Sequence, residues 1–204
     1  MARDALRDAE SGIPISIPSA MSRFIIHTLE SAPEASQPFV RQSQANNGFV
    51  PNLVGVLANA PVALETYATV SAINNRSSLS LTERETVQLT AARIHGCDFC
   101  RAGHAAVALK KAGLPLEQVR AMQLGQPCGD ARLDAVGAFA TAVIAHRGAV
   151  PDADFQAFLA HGFSQQQALE VVLGVSLATL CNFANTLAGT PVNPQFTPYL
   201  PGTL

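Results

Sequence analysis

Apolar residues recur along this chain at helical spacing, without sustained alternation of valine, isoleucine and aromatics. The pattern predicts helices and no sheet. After Pro61, for example, Leu64, Tyr67, Val70 and Ile73 fall on one face. Stop and start signals divide the pattern. A helix over about 35–45 ends at Asn46-Asn47-Gly48, a left-handed stop. Pro51 opens a short helix to 58, and Pro61 opens another to about 74. Leu81-Thr82-Glu83-Arg84-Glu85 is a helix start: Thr82 is placed to cap, and Glu85, three residues on, completes a capping box. That helix runs to about His95 and stops at Gly96. The next begins at Cys97 and ends at Lys110-Lys111-Ala112-Gly113. Helices over about 116–124, 131–146 and 152–160 follow. The last begins at Ser164, with Gln167 completing a capping box, and runs to Ala188 before Gly189. The expected fold class is an all-α bundle, one domain over 34–204, behind an N-terminal arm or extension over 1–33. Two prolines make Ile13–Ser19 extended, suited to reaching over a neighbouring subunit.

Composition adds an expectation of assembly. Of 204 residues, 48% are hydrophobic and 14% charged, against about 25% charged in a typical soluble domain. So little charge leaves apolar surface to be buried between subunits, which predicts a homo-oligomer. A net charge of -2 gives no electrostatic case for nucleic acid or an anionic membrane as partner. The N-terminus is acidic and lacks an apolar core segment, unlike a secretory signal. The longest apolar run, Val171 to Cys181, falls short of the roughly 18 residues a membrane span needs. The expectation is a soluble cytoplasmic protein. Four cysteines are too few for a secreted disulfide scaffold, and two of them form a Cys-x-x-Cys that points to redox or metal chemistry.

The candidate chemistry is concentrated in Glu85-x11-Cys97-x2-Cys100-x3-His104. At 100° per residue, Cys97, Cys100 and His104 fall within about 60° of one another on one helical face. His104 stands four residues from Cys100, the spacing at which side chains touch, so it serves Cys100 more easily than Cys97. Cys97 in turn has the better helix-end position, which also lowers a thiol's pKa. The two effects point to different nucleophiles, and spacing leaves both open. Glu85 joins the site if Gly96 is the hinge of a helical hairpin. Glu85 and His104 then lie roughly 16 and 12 Å from the turn, nearly level across the pair. A relay of Glu85, His104 and Cys100 follows, in which the carboxylate orients the imidazole and raises its basicity.

Blander readings compete with this one. Glu85 suits a helix cap alone. The Cys-x-x-Cys suits half a zinc site with His104 as third ligand, but Cys128 and Cys181 are isolated in sequence and no second paired cluster exists. The thiols could also be inert core residues. Phe99 suits a wall of the thiol pocket, His95 a helix end, and Cys128 and Cys181 structural positions. No glycine-rich fingerprint signals a nucleotide or flavin, so no cofactor is expected and electrons must come from a partner.

At these residues the chain resembles the carboxymuconolactone decarboxylase and AhpD-like alkylhydroperoxidase superfamily, whose redox motif stands complete at Glu85, Cys97, Cys100 and His104. Leu81–Glu85 is similar to the family's helix start. Gly48-Phe49-Val50-Pro51-Asn52 and Asn182-Phe183-Ala184-Asn185 resemble its longer, peroxidase-related branch. The resemblance covers roughly residues 40–200. It implies an AhpD-like all-α bundle around a Cys-x-x-Cys hairpin, usually oligomeric, that reduces hydroperoxides. It implies Cys100 as the peroxidatic thiol, Cys97 as the resolving one, Glu85 and His104 as the activating couple, and an external dithiol as the electron donor. AhpD partner proteins carry a histidine where this chain has Phe99, which leaves the reductant open. The decarboxylase branch usually lacks the cysteine pair. A lyase using Glu85 and His104 as acid and base, and a non-catalytic thiol sensor, are the alternatives.

Overall fold

The computed structural model describes residues 22–204. The extended segment expected over 13–19, with the rest of the arm up to 21, lies outside the described residues. Among those described, the elements are nine α-helices and two short 3-10 turns, with no strand. In chain order the helices are α1 (Gln37–Asn47), α2 (Asn52–Leu57), α3 (Pro61–Asn74), α4 (Leu81–Ile94), α5 (Asp98–Lys110), α6 (Leu116–Leu124), α7 (Ala131–Ala145), α8 (Asp152–Ala160) and α9 (Gln165–Ala188).

Helix α4 is the axis of the bundle and packs against α5, α6, α7 and α9. Its close approach to α9 depends on Gly174, where a Cβ would stand 3.1 Å from Val87 Cγ1. Gln88 donates across the same contact to the Gly174 carbonyl at 3.0 Å. Three apolar clusters surround this axis. One, with Leu53, Leu64, Leu177 and Cys181, encloses the thiol pair. Another stacks Phe139, Phe158 and Phe163 between α7, α8 and α9. The third binds α6 to α5 through Val119, Met122 and Ala108. The face expected on α3 is buried at Leu64, whereas Ile73 ends 42% exposed and its neighbour Asn74 turns inward.

Residues 22–33 run along the bundle: the Arg23 N–H bonds the Ala188 carbonyl at 2.7 Å and the His27 N–H the Gly55 carbonyl at 3.1 Å. A side chain on Gly55 would meet the His27 carbonyl oxygen at 2.6 Å, so only glycine admits this crossing.

The cap of α4 differs from expectation. Ser80, not Thr82, is the N-cap, and Glu83, not Glu85, completes the capping box. The Ser80 N–H donates to Glu83 Oε2 at 2.7 Å, and the Glu83 N–H donates to Ser80 Oγ at 3.3 Å. Ser80 has the extended backbone a cap requires, whereas Thr82 already lies in the first helical turn. This shift of two residues frees the Glu85 carboxylate from the helix end.

One expectation about membranes needs qualification. Helix α9, 24 residues with a mean hydropathy of 1.6 over its most apolar window, is long and apolar enough to cross a bilayer by length and composition. Half of that window is buried inside the protein, as in a core helix.

Candidate active site

The turn between α4 and α5 sets the geometry of the thiols. His95 caps α4, and Gly96 follows with φ +68°. The Cys97 N–H bonds the Ala92 carbonyl at 2.9 Å and the Gly96 N–H the Arg93 carbonyl at 3.2 Å, closing a Schellman motif. Cys97 is then also the N-cap of α5, with extended backbone and a sulfur that accepts the Cys100 N–H at 3.4 Å. Cys97 is therefore not on the helical face expected for it: it stands just ahead of α5, while Cys100 and His104 lie within the helix. Both thiols are reduced and buried, each 4% exposed.

The hairpin brings Glu85 and His104 together. His104 Nδ1 and Glu85 Oε2 are 2.8 Å apart. The carboxylate is buried and the imidazole 31% exposed. Burial by itself lowers the His104 pKa, but the Glu85 charge and hydrogen bond, with help from Cys97, raise it above its ordinary value. With Nδ1 on the carboxylate, Nε2 is the nitrogen left for chemistry. Among the described residues no hydrogen bond joins His104 to either sulfur, so proton exchange with the thiols needs a bridging group.

The two thiols are driven in opposite directions. Cys97 is held below the usual thiol value, first by a hydrogen bond from the Cys100 thiol, which outweighs burial, with the Cys100 N–H and Asn185 assisting. Cys100 is driven up by that same shared proton and by burial. Of the two, Cys97 is the thiol whose charged form is favoured, at the positive end of α5.

Asn185, from α9, is a participant that spacing did not single out. Its Nδ2 lies 3.3 Å from Cys100 Sγ and 3.8 Å from Cys97 Sγ, on a side chain only 3% exposed. The amide NH2 group faces both sulfurs and favours negative charge on either. Only the helical register of α9, 85 residues beyond Cys100, brings it there. Cys181, one turn earlier, belongs to the same apolar cluster as the pair, so its isolation in sequence is not isolation in space. Burial first, then the Cys97 charge, pushes its thiol up to about 12, so it stays protonated at neutral pH. Among the described residues no three of His, Cys, Asp and Glu are grouped to hold a metal ion. Cys128 lies in a separate cluster beside α6.

A cavity of about 530 Å³ opens onto this site, lined by α1, α2, α3, α4, α5 and α9. Cys100, His104 and Glu85 line it, whereas Cys97 does not. Phe99 forms a wall, packed edge-on against Phe196 at 5.7 Å, and Phe49 packs on Phe196 from beyond at 5.6 Å. Tyr67 and Leu177 face the same space.

The all-helical bundle, whose central hairpin carries a buried thiol pair beside a carboxylate–imidazole couple, has an AhpD-like fold. Residues 61–142, which contain the whole motif, match the carboxymuconolactone decarboxylase family model. That match covers 82 of the chain's 204 residues, and the likeness of the whole chain to AhpD-like proteins is one of fold. Comparison with curated proteins finds no match. Among solved structures, the fold is similar to an uncharacterized peroxidase-related protein with an alkylhydroperoxidase AhpD core from Ralstonia eutropha JMP134. The TM-score is 0.79 at 23% identity, covering 91% of this chain and 98% of that one. A peroxidase-related protein from Silicibacter sp. TM1040 gives a TM-score of 0.71 at 19% identity, covering 94% and 97%. The debrominase Bmp8, solved with 2,3,4-tribromopyrrole, gives 0.67 at 15% identity, covering 83% and 94%. At these identities the likeness establishes the fold.

Proposed function

We propose that this protein is a thiol peroxidase that reduces organic hydroperoxides at Cys100, with Cys97 as resolving thiol and an external dithiol as electron donor. The observation that carries this reading is the cavity floor, where Cys100 lies beside a His104 whose Nδ1 is held by Glu85. Cys97 is the more easily ionised thiol but lies off the cavity, so its thiolate is suited to act as the first base. It takes the Cys100 proton, and the charge passes to the sulfur that faces the substrate. The Asn185 amide touches both sulfurs and so accompanies that transfer.

Cys100 Sγ attacks the terminal peroxide oxygen. An S–O bond forms, the O–O bond breaks, and the departing alkoxide takes a proton from the His104 imidazolium. The products are an alcohol and a sulfenic acid on Cys100. Neutral His104 then accepts the Cys97 proton through water, and Cys97 Sγ attacks Cys100 Sγ. The S–S bond forms as the S–O bond breaks, and the hydroxide leaves as water with that proton. Exchange with a dithiol re-forms the Cys97 thiolate and the Cys100 thiol, oxidises the donor and leaves its two protons on Cys100 and His104. Turnover of cumene hydroperoxide with dithiothreitol as donor tests this scheme. Wild type should turn over, and Cys100→Ser and Cys97→Ser should lose catalytic cycling by at least about a hundredfold. Full activity in Cys100→Ser sinks the assignment.

A second reading rests on the Glu85–His104 couple and the match to a decarboxylase family model. In it the couple acts as acid and base on an unsaturated lactone, and lactone turnover survives loss of both motif cysteines. We also propose that the chain assembles with copies of itself, supported by its low charge content and an exposed apolar face on α9.

A further inference from the structure

We infer that the cavity selects an anionic amphiphile: an organic hydroperoxide with an apolar body and a single carboxylate-like end, held at a cationic mouth away from Cys100. This deepens the peroxidase reading and rests on it for the reacting end alone. The cavity's 530 Å³ is far more than hydrogen peroxide fills, since a water-sized molecule takes up only about 30 Å³. Beside its polar lining the cavity has an apolar and aromatic part, with Phe99, Phe196, Tyr67 and Leu177. Such walls favour a hydrocarbon body over a small polar peroxide.

The charge on the lining is one-sided. Arg84, Lys110 and Lys111 all line the cavity, and Glu85 is the sole carboxylate among its described lining residues. Glu85 is already committed to His104. In a chain of 13 basic and 15 acidic residues, three cations against one engaged acid is a local reversal of sign. Among the described residues neither lysine has an acidic partner: Lys110 lies over the Tyr199 ring at 4.8 Å, and Arg84 donates to the Leu79 carbonyl at 2.6 Å. The cations come from two helices. Arg84 precedes Glu85 on α4, and the lysines end α5, so they meet only because the hairpin closes. Lys110 follows Cys100 by ten residues, roughly 15 Å along α5 at 1.5 Å per residue. That separation sets the reach from the anionic end of the substrate to its peroxide.

Calorimetry on the whole chain tests this with two redox-inert probes, decanoic acid and decanol. The acid should bind about tenfold more tightly at low salt, the combined effect of two or three solvent-exposed ion pairs. The ratio should fall toward one in high salt and in the double variant Lys110→Gln/Lys111→Gln. Lys110→Arg/Lys111→Arg should restore it, which a loss of packing would not do. Equal affinities in wild type, a ratio unmoved by the glutamine pair, or no binding of either probe overturns the inference. Turnover of linoleic acid hydroperoxide and of its methyl ester separates this from the peroxidase reading. Selective decanoate binding without turnover of any hydroperoxide keeps the mouth and removes the peroxidase. Equal turnover of acid and ester keeps the peroxidase and removes the mouth.

Discussion

His104 is pulled two ways, and the balance between them is measurable. Burial is the largest influence and disfavours the imidazolium, but the carboxylate of Glu85 at 2.8 Å more than offsets it. Because folding raises this pKa, the couple's stabilisation is fully present below the ordinary value of 6.5 and is lost as pH rises through the folded value. Histidine titration by NMR should place the wild-type midpoint above 6.5. In Glu85→Gln only the Cys97 charge still opposes burial, and the midpoint should drop. A midpoint unchanged by the substitution contradicts the couple. For the thiols, Asn185→Ala should raise the first thiol titration midpoint, followed by ultraviolet thiolate absorbance, and slow peroxide reduction by about tenfold or more, the worth of a hydrogen bond to a charged group. Sequence spacing pointed to Cys100 through its histidine and to Cys97 through its helix end. The structure gives each effect a separate place: Cys97 is the thiol whose pKa is lowered, and Cys100 faces the cavity.

Among the elements, the α4–α5 hairpin decides whether the motif forms a site. Gly96 was legible as a hinge because a helix stop stood directly before the cysteines, and the level placement of Glu85 and His104 follows from counting residues on either side of it. The cap was misplaced because Ser80 and Thr82 are both good cap residues and each has a glutamate three positions on. Local chemistry alone does not separate them. Glu85 is drawn inward by His104, while Glu83 is anchored by Arg132 of α7, and tertiary partners break the tie. Ser80→Ala should therefore cost about 1 kcal/mol, while Thr82→Ala should cost markedly less. Urea midpoints for the two variants check this, and the reverse order would restore the other cap. Asn185 escaped notice for a related reason: contact between α9 and the hairpin is set by packing around Gly174, which no local pattern encodes.

For the whole molecule, the exposed apolar residues are unevenly distributed. Leu169, Val172, Phe183 and Leu187 on α9 are 72, 40, 56 and 60% exposed. Their spacing follows one helical face, opposite the residues that bury α9 in the core. If copies of this chain cover that face, sedimentation velocity should show an oligomer in wild type and a smaller species in Leu169→Glu/Phe183→Glu. A wild-type monomer contradicts the assembly. Helix count and most boundaries were readable from capping and glycine signals, because seven of the nine helices are followed by a left-handed glycine. The cavity was not readable, because it is bounded by six helices whose mutual placement comes from packing. The central claim remains that Cys100 is the sulfur a hydroperoxide meets. It is tested most directly by mapping dimedone adducts by mass spectrometry after one equivalent of cumene hydroperoxide is added to Cys97→Ser and Cys100→Ser. The account predicts an adduct on Cys100 in Cys97→Ser and none on Cys97 in Cys100→Ser. An adduct on Cys97 in Cys100→Ser, with Cys100 unmodified in Cys97→Ser, contradicts it.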